Sequence, residues 1–186
     1  MISKQVLKET EDLMKKALQS CHREFAEIRS GRAHPSMVEG LIVDYYGTPT
    51  PLKQIASVTV PDARLIIIQP WDPSSVEAIQ KAILNSNLGF NPLVEGKVLK
   101  VPVPPLSEER REELIKVVKH MAEEGKISVR TVRRDAIEKV RQLEKDKKIG
   151  EDDKYRLQEE IQKFTDKYIE EIDKLFEEKR KELLES

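Results

Sequence analysis

The stretch RSGRAHP, Arg29 to Pro35, decides how this chain is organised. Everything before it reads as one amphipathic helix. Val6, Leu7, Leu13, Met14, Ala17, Leu18, Cys21, Phe25 and Ile28 recur at steps of three and four, the spacing that gathers side chains on one helical face. Ser3 can cap the start, because a serine oxygen accepts an orphan amide of the first turn. Gly31 sits where the helix should stop, and Pro35 blocks its continuation. A lone helix cannot bury its own stripe, so residues 1–30 must find partners later in the chain.

Past that stretch the composition changes. All ten prolines and five of the seven glycines fall within 31–105. They separate runs of β-forming residues: LIVDYY at 41–46, ASVTV at 56–60, RLIIIQ at 64–69 and KVLKVPV at 97–103. PSSVEAIQKAILNSN at 73–87 predicts a helix, with Pro73 in its first turn and Val76, Ile79, Ile83 and Leu84 as its buried stripe.

Residues 106–186 return to helix. Ser107 can cap the start, and Glu108 and Glu109 suit the positive end of the helix dipole. Leu114, Val117, Val118 and Met121 open a stripe that Val129, Val132, Ala136, Val140 and Leu143 continue. Gly125 marks a kink or weak point, at about 1 kcal/mol relative to alanine. Gly150 reads as a stop before a second helix, which begins with Glu151, Asp152 and Asp153. Tyr155, Ile161, Phe164, Tyr168, Ile172, Leu175 and Phe176 form its stripe.

Two long helices leave a groove that the first helix can fill. The economical fold is α+β. It is an elongated three-helix bundle of 1–30 and 106–186, with 31–105 as an inserted small β/α/β domain. The linkers are RSGRAHP at 29–35 and VPVPPLS at 101–107. Gly31, Pro102, Pro104 and Pro105 in them fit either a hinge or a fixed elbow.

Totals and missing motifs narrow the function. The 186 residues carry 33 basic and 34 acidic side chains and only 5% aromatics, which suits long charged helices and excludes a polycation. Cys21 is the only cysteine, so no internal disulfide forms, as in a reducing compartment. The first residues hold no long apolar run, so no signal peptide is expected, and no segment nears the roughly 18 apolar residues of a membrane span. A soluble cytoplasmic monomer without membrane association is expected. The glycines do not cluster into a phosphate loop. Cys21 and His22 are adjacent, and His34 and His120 lack companions, which is poor spacing for a metal. Nothing resembles a nucleophile elbow. No cofactor, metal site or catalytic residue is expected.

The charge that remains informative lies in VRTVRRDAIEKVR, Val129 to Arg141. At about 100° per residue, Arg130, Arg133, Arg134 and Arg141 fall on the arc next to the apolar one, with Lys126 and Ile137 among them. A solvated face is the ordinary reading, with Arg134–Glu138 and Asp135–Lys139 pairs worth about 0.2–0.5 kcal/mol each. Two details weigh against it. The cations are mainly arginine, whose planar fork suits phosphate. Segment 126–148 holds nine basic and four acidic residues, whereas 151–186 holds thirteen acidic and eight basic. A basic stripe of this kind is an electrostatic footprint for nucleic acid. The scarcity of aromatics nearby favours folded RNA gripped by phosphate and shape over a single-strand stacking platform.

EIRSGRAHPSMVEGLIVDYYGTPTPLKQIASVTVPDARLIIIQPWD, then PPLSEERREEL, then VRTVRRDAIEKVR with the following GEDD occur in that order. On these segments the chain resembles the bacterial ribosome recycling factor family along essentially its whole length. The resemblance implies an L-shaped arrangement of bundle and inserted domain. It implies a non-enzymatic translation factor that acts on the post-termination 70S ribosome. With elongation factor G and its GTP hydrolysis, such a factor separates the subunits and releases messenger and transfer RNA. It also implies that the bundle lies against large-subunit ribosomal RNA. Arg130 and Arg133 are then the foremost contacts, with Arg134, Arg141 and the elbow residues Arg29 and Arg32 behind them. A coiled-coil interaction protein or chaperone is the competing reading, and would expose apolar patches and bind without steep salt dependence. A hydrolase is the third.

Overall fold

A computed structural model describes residues 1–186. In chain order the elements are α1 (Ile2–Glu27), α2 (Ser36–Glu39), β1 (Ile42–Tyr45), β2 (Thr48–Pro51), β3 (Ala56–Asp62), β4 (Leu65–Pro70), α3 (Val76–Asn85), β5 (Leu93–Glu95), β6 (Val98–Pro102), α4 (Glu108–Lys145) and α5 (Glu151–Leu184). They form two compact units. One joins Met1–Arg29 to Glu108–Glu185, and the other is Ser30–Ser107. The architecture is α+β, a helical bundle interrupted by a small sheet domain.

In the bundle, Met14, Val118, Val129, Val140, Leu157, Ile161 and Ile172 are fully buried. The apolar stripes are narrower than the sequence pattern predicts. Leu13, Val117 and Tyr155 face solvent, while Thr10 and Thr165 are buried. Each threonine hydroxyl donates to the carbonyl one turn back, Val6 at 2.7 Å and Ile161 at 2.8 Å, so burial leaves neither donor unpaired. The predicted Ser3 cap does not form. The Gln5 N–H reaches the Met1 carbonyl at 3.2 Å, so the helix starts earlier and Ser3 lies inside its first turn.

The predicted weak point at Gly125 is instead a packing device. α4 runs through it without a break, and Gly125 is buried. A Cβ there would meet Cys21 Sγ of α1 at 2.1 Å and Ile172 Cδ1 of α5 at 3.4 Å. Burial, and then the Glu24 charge, push the Cys21 thiol up, so Cys21 stays neutral and fills the space that the glycine vacates.

α4 ends before Gly150. Lys147 takes φ 57°. Its N–H donates to Glu144 and that of Lys148 to Leu143, both at 2.9 Å, the paired closure of a Schellman end. Gly150 is therefore the N-cap of α5, not the stop of α4, and Glu151, Asp152 and Asp153 follow it.

In the second unit an antiparallel sheet of order β3–β4–β6–β5 packs Ile66, Ile68, Leu99 and Val101 against Ile79 and Ile83 of α3. Leu84 lies off that stripe and is exposed. β1 and β2 form a separate ribbon. The TPTP strand β2 is absent from the sequence reading, because proline signals turns. Register explains its presence. Leu52 N–H donates to Leu41 at 2.8 Å, so the alternate pairs Ile42↔Pro51 and Asp44↔Pro49 are the non-hydrogen-bonded ones. Both proline nitrogens point away from β1, where a missing N–H costs no ladder bond. Tyr46 and Gly47, with φ 50° and 81°, make the two-residue turn that such a hairpin favours.

The connecting segments are anchored to the sheet. Ala33 N–H donates to Ala63 and Val103 N–H to Arg64, each at 2.8 Å. Pro102 pairs opposite Leu65 as the last residue of β6, so chain free of the sheet begins at Pro104. Gly31 has φ 76°, and a Cβ there would meet Leu106 Cγ at 2.6 Å.

Gly125→Ala tests the Cys21 contact. Helix propensity alone predicts stabilisation by about 1 kcal/mol, whereas overpacking predicts a net loss of about 1–3 kcal/mol. Adding Cys21→Ala should recover much of that loss, giving a non-additive double-mutant cycle in urea unfolding. Additive values would show that Cys21 does not limit the space.

Candidate nucleic-acid interface

The middle of α4 presents its core residues Val129, Ala136 and Val140 on one arc and its arginines on the next. The edge of the basic arc nearest α5 holds Lys126 and Arg133, and α5 engages both. Lys126 forms ion pairs with Asp173 of α5 and, at 3.3 Å, with Glu123. Its side chain is only 15% exposed. The Asp173 bond holds its pKa up although burial opposes this. Lys126 is therefore a tie between helices and leaves the free basic face that the sequence assigned it to.

Arg133 is half-buried. Its Nη1 donates to Gln162 Oε1 at 2.9 Å, and Gln162 Nε2 donates to Asp166 Oδ1 at 2.8 Å. The Arg133 Nε is buried without a bond. The guanidinium is thus held from one side by a neutral amide, which fixes its plane and leaves its charge uncancelled.

Arg130 and Arg134 are exposed and have no ion-pair partner. The expected Arg134–Glu138 and Asp135–Lys139 pairs do not form. Glu138 lies 3.8 Å from Arg141 instead, with both side chains exposed. Lys139 reaches across to Glu9 of α1 at 2.8 Å and, with Gln5, lowers the Glu9 pKa through hydrogen bonds. Ile137 is half-buried and packs against the cluster of Val6, Ala136, Val140, Leu157 and Ile161. It also lines a shallow concavity with Ile127, Thr131 and the four arginines. An apolar floor under a guanidinium rim can take a phosphate-bearing ridge, with Glu138 as the one carboxylate in the lining.

Arg29 and Arg32 are both exposed, Arg29 in the helical unit and Arg32 in the sheet unit. Sequence reasoning missed Gln162 and Asp166. Their four-residue spacing on α5 is visible, but which face of α5 meets Arg133 depends on the packing register. No group of three His, Cys, Asp or Glu side chains could hold a metal ion, and no helix is long and apolar enough to cross a membrane.

Residues 21–184 match the family described as ribosome recycling factor. The chain is 50% identical over 181 residues to the ribosome-recycling factor of Legionella pneumophila strain Corby, covering 97% of this chain and 98% of that protein. It is 49% identical over 180 residues to that of Oleidesulfovibrio alaskensis, with 97% and 98% covered. A solution structure of the ribosome recycling factor matches with TM-score 0.65 and 44% identity, over 100% of this chain and 99% of that one. Another similar structure has TM-score 0.58 and 43% identity, over 99% and 100% of the two chains. It belongs to models for the T. thermophilus ribosome recycling factor and the E. coli elongation factor G bound to the E. coli post-termination complex.

Gln162→Ala should leave thermal stability within about 0.5 kcal/mol, as for other surface changes, but release the Arg133 fork. Guanidinium NMR should then show faster rotation and proton exchange at Arg133. An unchanged signal would mean that packing, not the amide, holds it.

Proposed function

This chain belongs to the ribosome recycling factor family, and from that membership we propose that it disassembles post-termination ribosomes into subunits together with elongation factor G. The bundle anchors on large-subunit ribosomal RNA through Arg130, Arg133, Arg134 and Arg141, with Arg29 and Arg32 as outlying contacts. The observation that carries this reading is an arginine face with few carboxylates on a chain similar to recycling factors over nearly its full length. Phosphate oxygens would take the place that carboxylates leave empty.

The protein supplies shape, not chemistry. Its partner's GTPase cycle provides the motive energy. The inserted domain, 31–105, receives the displacement, and Gly31, Pro104 and Pro105 form the elbow, because Pro102 is held in β6 opposite Leu65. Long helices suit this task because α4 and α5, with 38 and 34 residues, transmit displacement along their axes with little bending. The factor acts as a cytoplasmic monomer. A chaperone that holds protein clients is the competing function, and its binding would depend weakly on salt.

Arg130→Ala and Arg133→Ala should each weaken co-sedimentation with large ribosomal subunits and lower the slope of log affinity against log salt by about one. Unfolding temperatures should hardly move. Unchanged affinity at every salt concentration would remove the phosphate anchor. The elbow is tested separately. A cross-link engineered between the two units should impair subunit splitting more than ribosome binding, and full splitting activity of the cross-linked protein would exclude a hinge.

A further inference from the structure

We propose that the free edge of β1, with the flank of α3 beside it, is a docking groove for an extended, basic segment of another protein, which adds as a third strand to the β1–β2 ribbon. The two edges of this ribbon are built differently. Leu41 pairs with Leu52, so the ladder bonds to β2 continue at Val43 and Tyr45. Ile42 and Asp44 therefore turn their N–H and C=O groups to the other side. The outward positions of β2 are Pro49 and Pro51, and an edge without donors cannot accept a strand. One edge is closed by sequence and the other is open.

The open edge faces a groove. Ile42 and Asp44 line one wall, and Glu77, Ala78, Lys81 and Ala82 of α3 line the other. These four helix residues form one flank at steps of one, four and five, and the two alanines keep the floor low. The Tyr46 hydroxyl donates to the Asp72 carboxylate and lies 2.8 Å from Ser74 Oγ. That latch ties the tip of the hairpin to the start of α3, so Asp44 and Glu77 share one end of the groove. Ile42 and Ala82 lie toward the other.

The groove is unevenly charged and unsatisfied. The salt bridge of this domain, Lys100 to Glu95 at 2.7 Å, lies on the sheet, and Asp44, Glu77 and Lys81 have no ion-pair partner. Two carboxylates against one amine favour a cationic occupant and disfavour RNA. α3 has ten residues and is about 15 Å long, which matches an extended segment of about four or five residues. Such a segment would bond through its main chain to Ile42 and Asp44. It would set a lysine or arginine at the acidic end and an apolar side chain over Ala82, as in strand addition generally.

The test titrates the ¹⁵N-labelled full chain with the peptide acetyl-Lys-Thr-Val-Thr-Val-amide and with its Glu-for-Lys counterpart. Amide shifts should concentrate at Ile42, Asp44 and the α3 flank, and the glutamate peptide should bind roughly five-fold more weakly or worse. Ile42→Pro removes the outward N–H and keeps every ladder bond to β2, so it should lower affinity roughly ten-fold. Ala82→Met, which fills the floor and leaves the β1 main chain unaltered, should do the same if Ile42→Pro fails to fold. No shift at Ile42 and Asp44 at millimolar peptide, or equal affinity for the two peptides, overturns the proposal. Concentration-dependent shifts at these amides without peptide would assign the edge to a second copy of this chain. A response to an oligouridine but to neither peptide would assign it to RNA, and either result also overturns it.

Discussion

The bundle depends on how closely α1 approaches α4. These helices are separated in sequence by the whole inserted domain, so no turn holds them together. Their contact is fixed where Cys21 enters the gap at Gly125, with Ile172 of α5 closing the third side. One missing side chain thus brings three helices to a common point. Val118, Val129 and Val140 can then be fully buried, and burial at about 25 cal/mol per Å² of apolar surface is the main favourable contribution. The exposed seam pair of Lys139 with Glu9 adds orientation more than stability, because exposed pairs are worth about 1 kcal/mol or less, whereas Lys126, mostly buried, needs Asp173 as its partner.

The same packing sorts the cations of α4. Residues at the α5 edge are drawn inward, Lys126 to a carboxylate and Arg133 to an amide. Arg130 and Arg134 stay free. The basic face is therefore smaller than a helical wheel suggests, and its members are unequal. Arg133 is oriented by a bond across the helix pair, whereas Arg130 and Arg134 keep their side-chain freedom.

Much of this was legible in the sequence because helical periodicity is local. The three long helices and the arginine arc of α4 follow from spacing within one segment. The errors share a different cause. Gly125 reads as a kink or weak point until Cys21 is placed opposite it. Pro49 and Pro51 read as turn residues until register shows which way their nitrogens point. Gly150 reads as a stop until the left-handed Lys147 is seen to close α4 first. Lys126 and Arg133 look alike on a wheel, and only α5 separates them. Each depends on a partner distant in sequence, which no single-segment pattern contains.

The packing of Gly31 against Leu106 bears on how the chain can fold. α4 and α5 are joined by a short turn, so they can pair locally. α1 must close a loop formed by residues 28–107 before it gains any bundle contact, which raises the contact order and slows assembly. Once the sheet domain has folded, however, its two ends lie side by side at Gly31 and Leu106. The effective loop then shrinks roughly tenfold, which lowers the closure entropy by about 2 kcal/mol. The inserted domain acts as a staple for the helices that flank it, and its own folding prepares theirs.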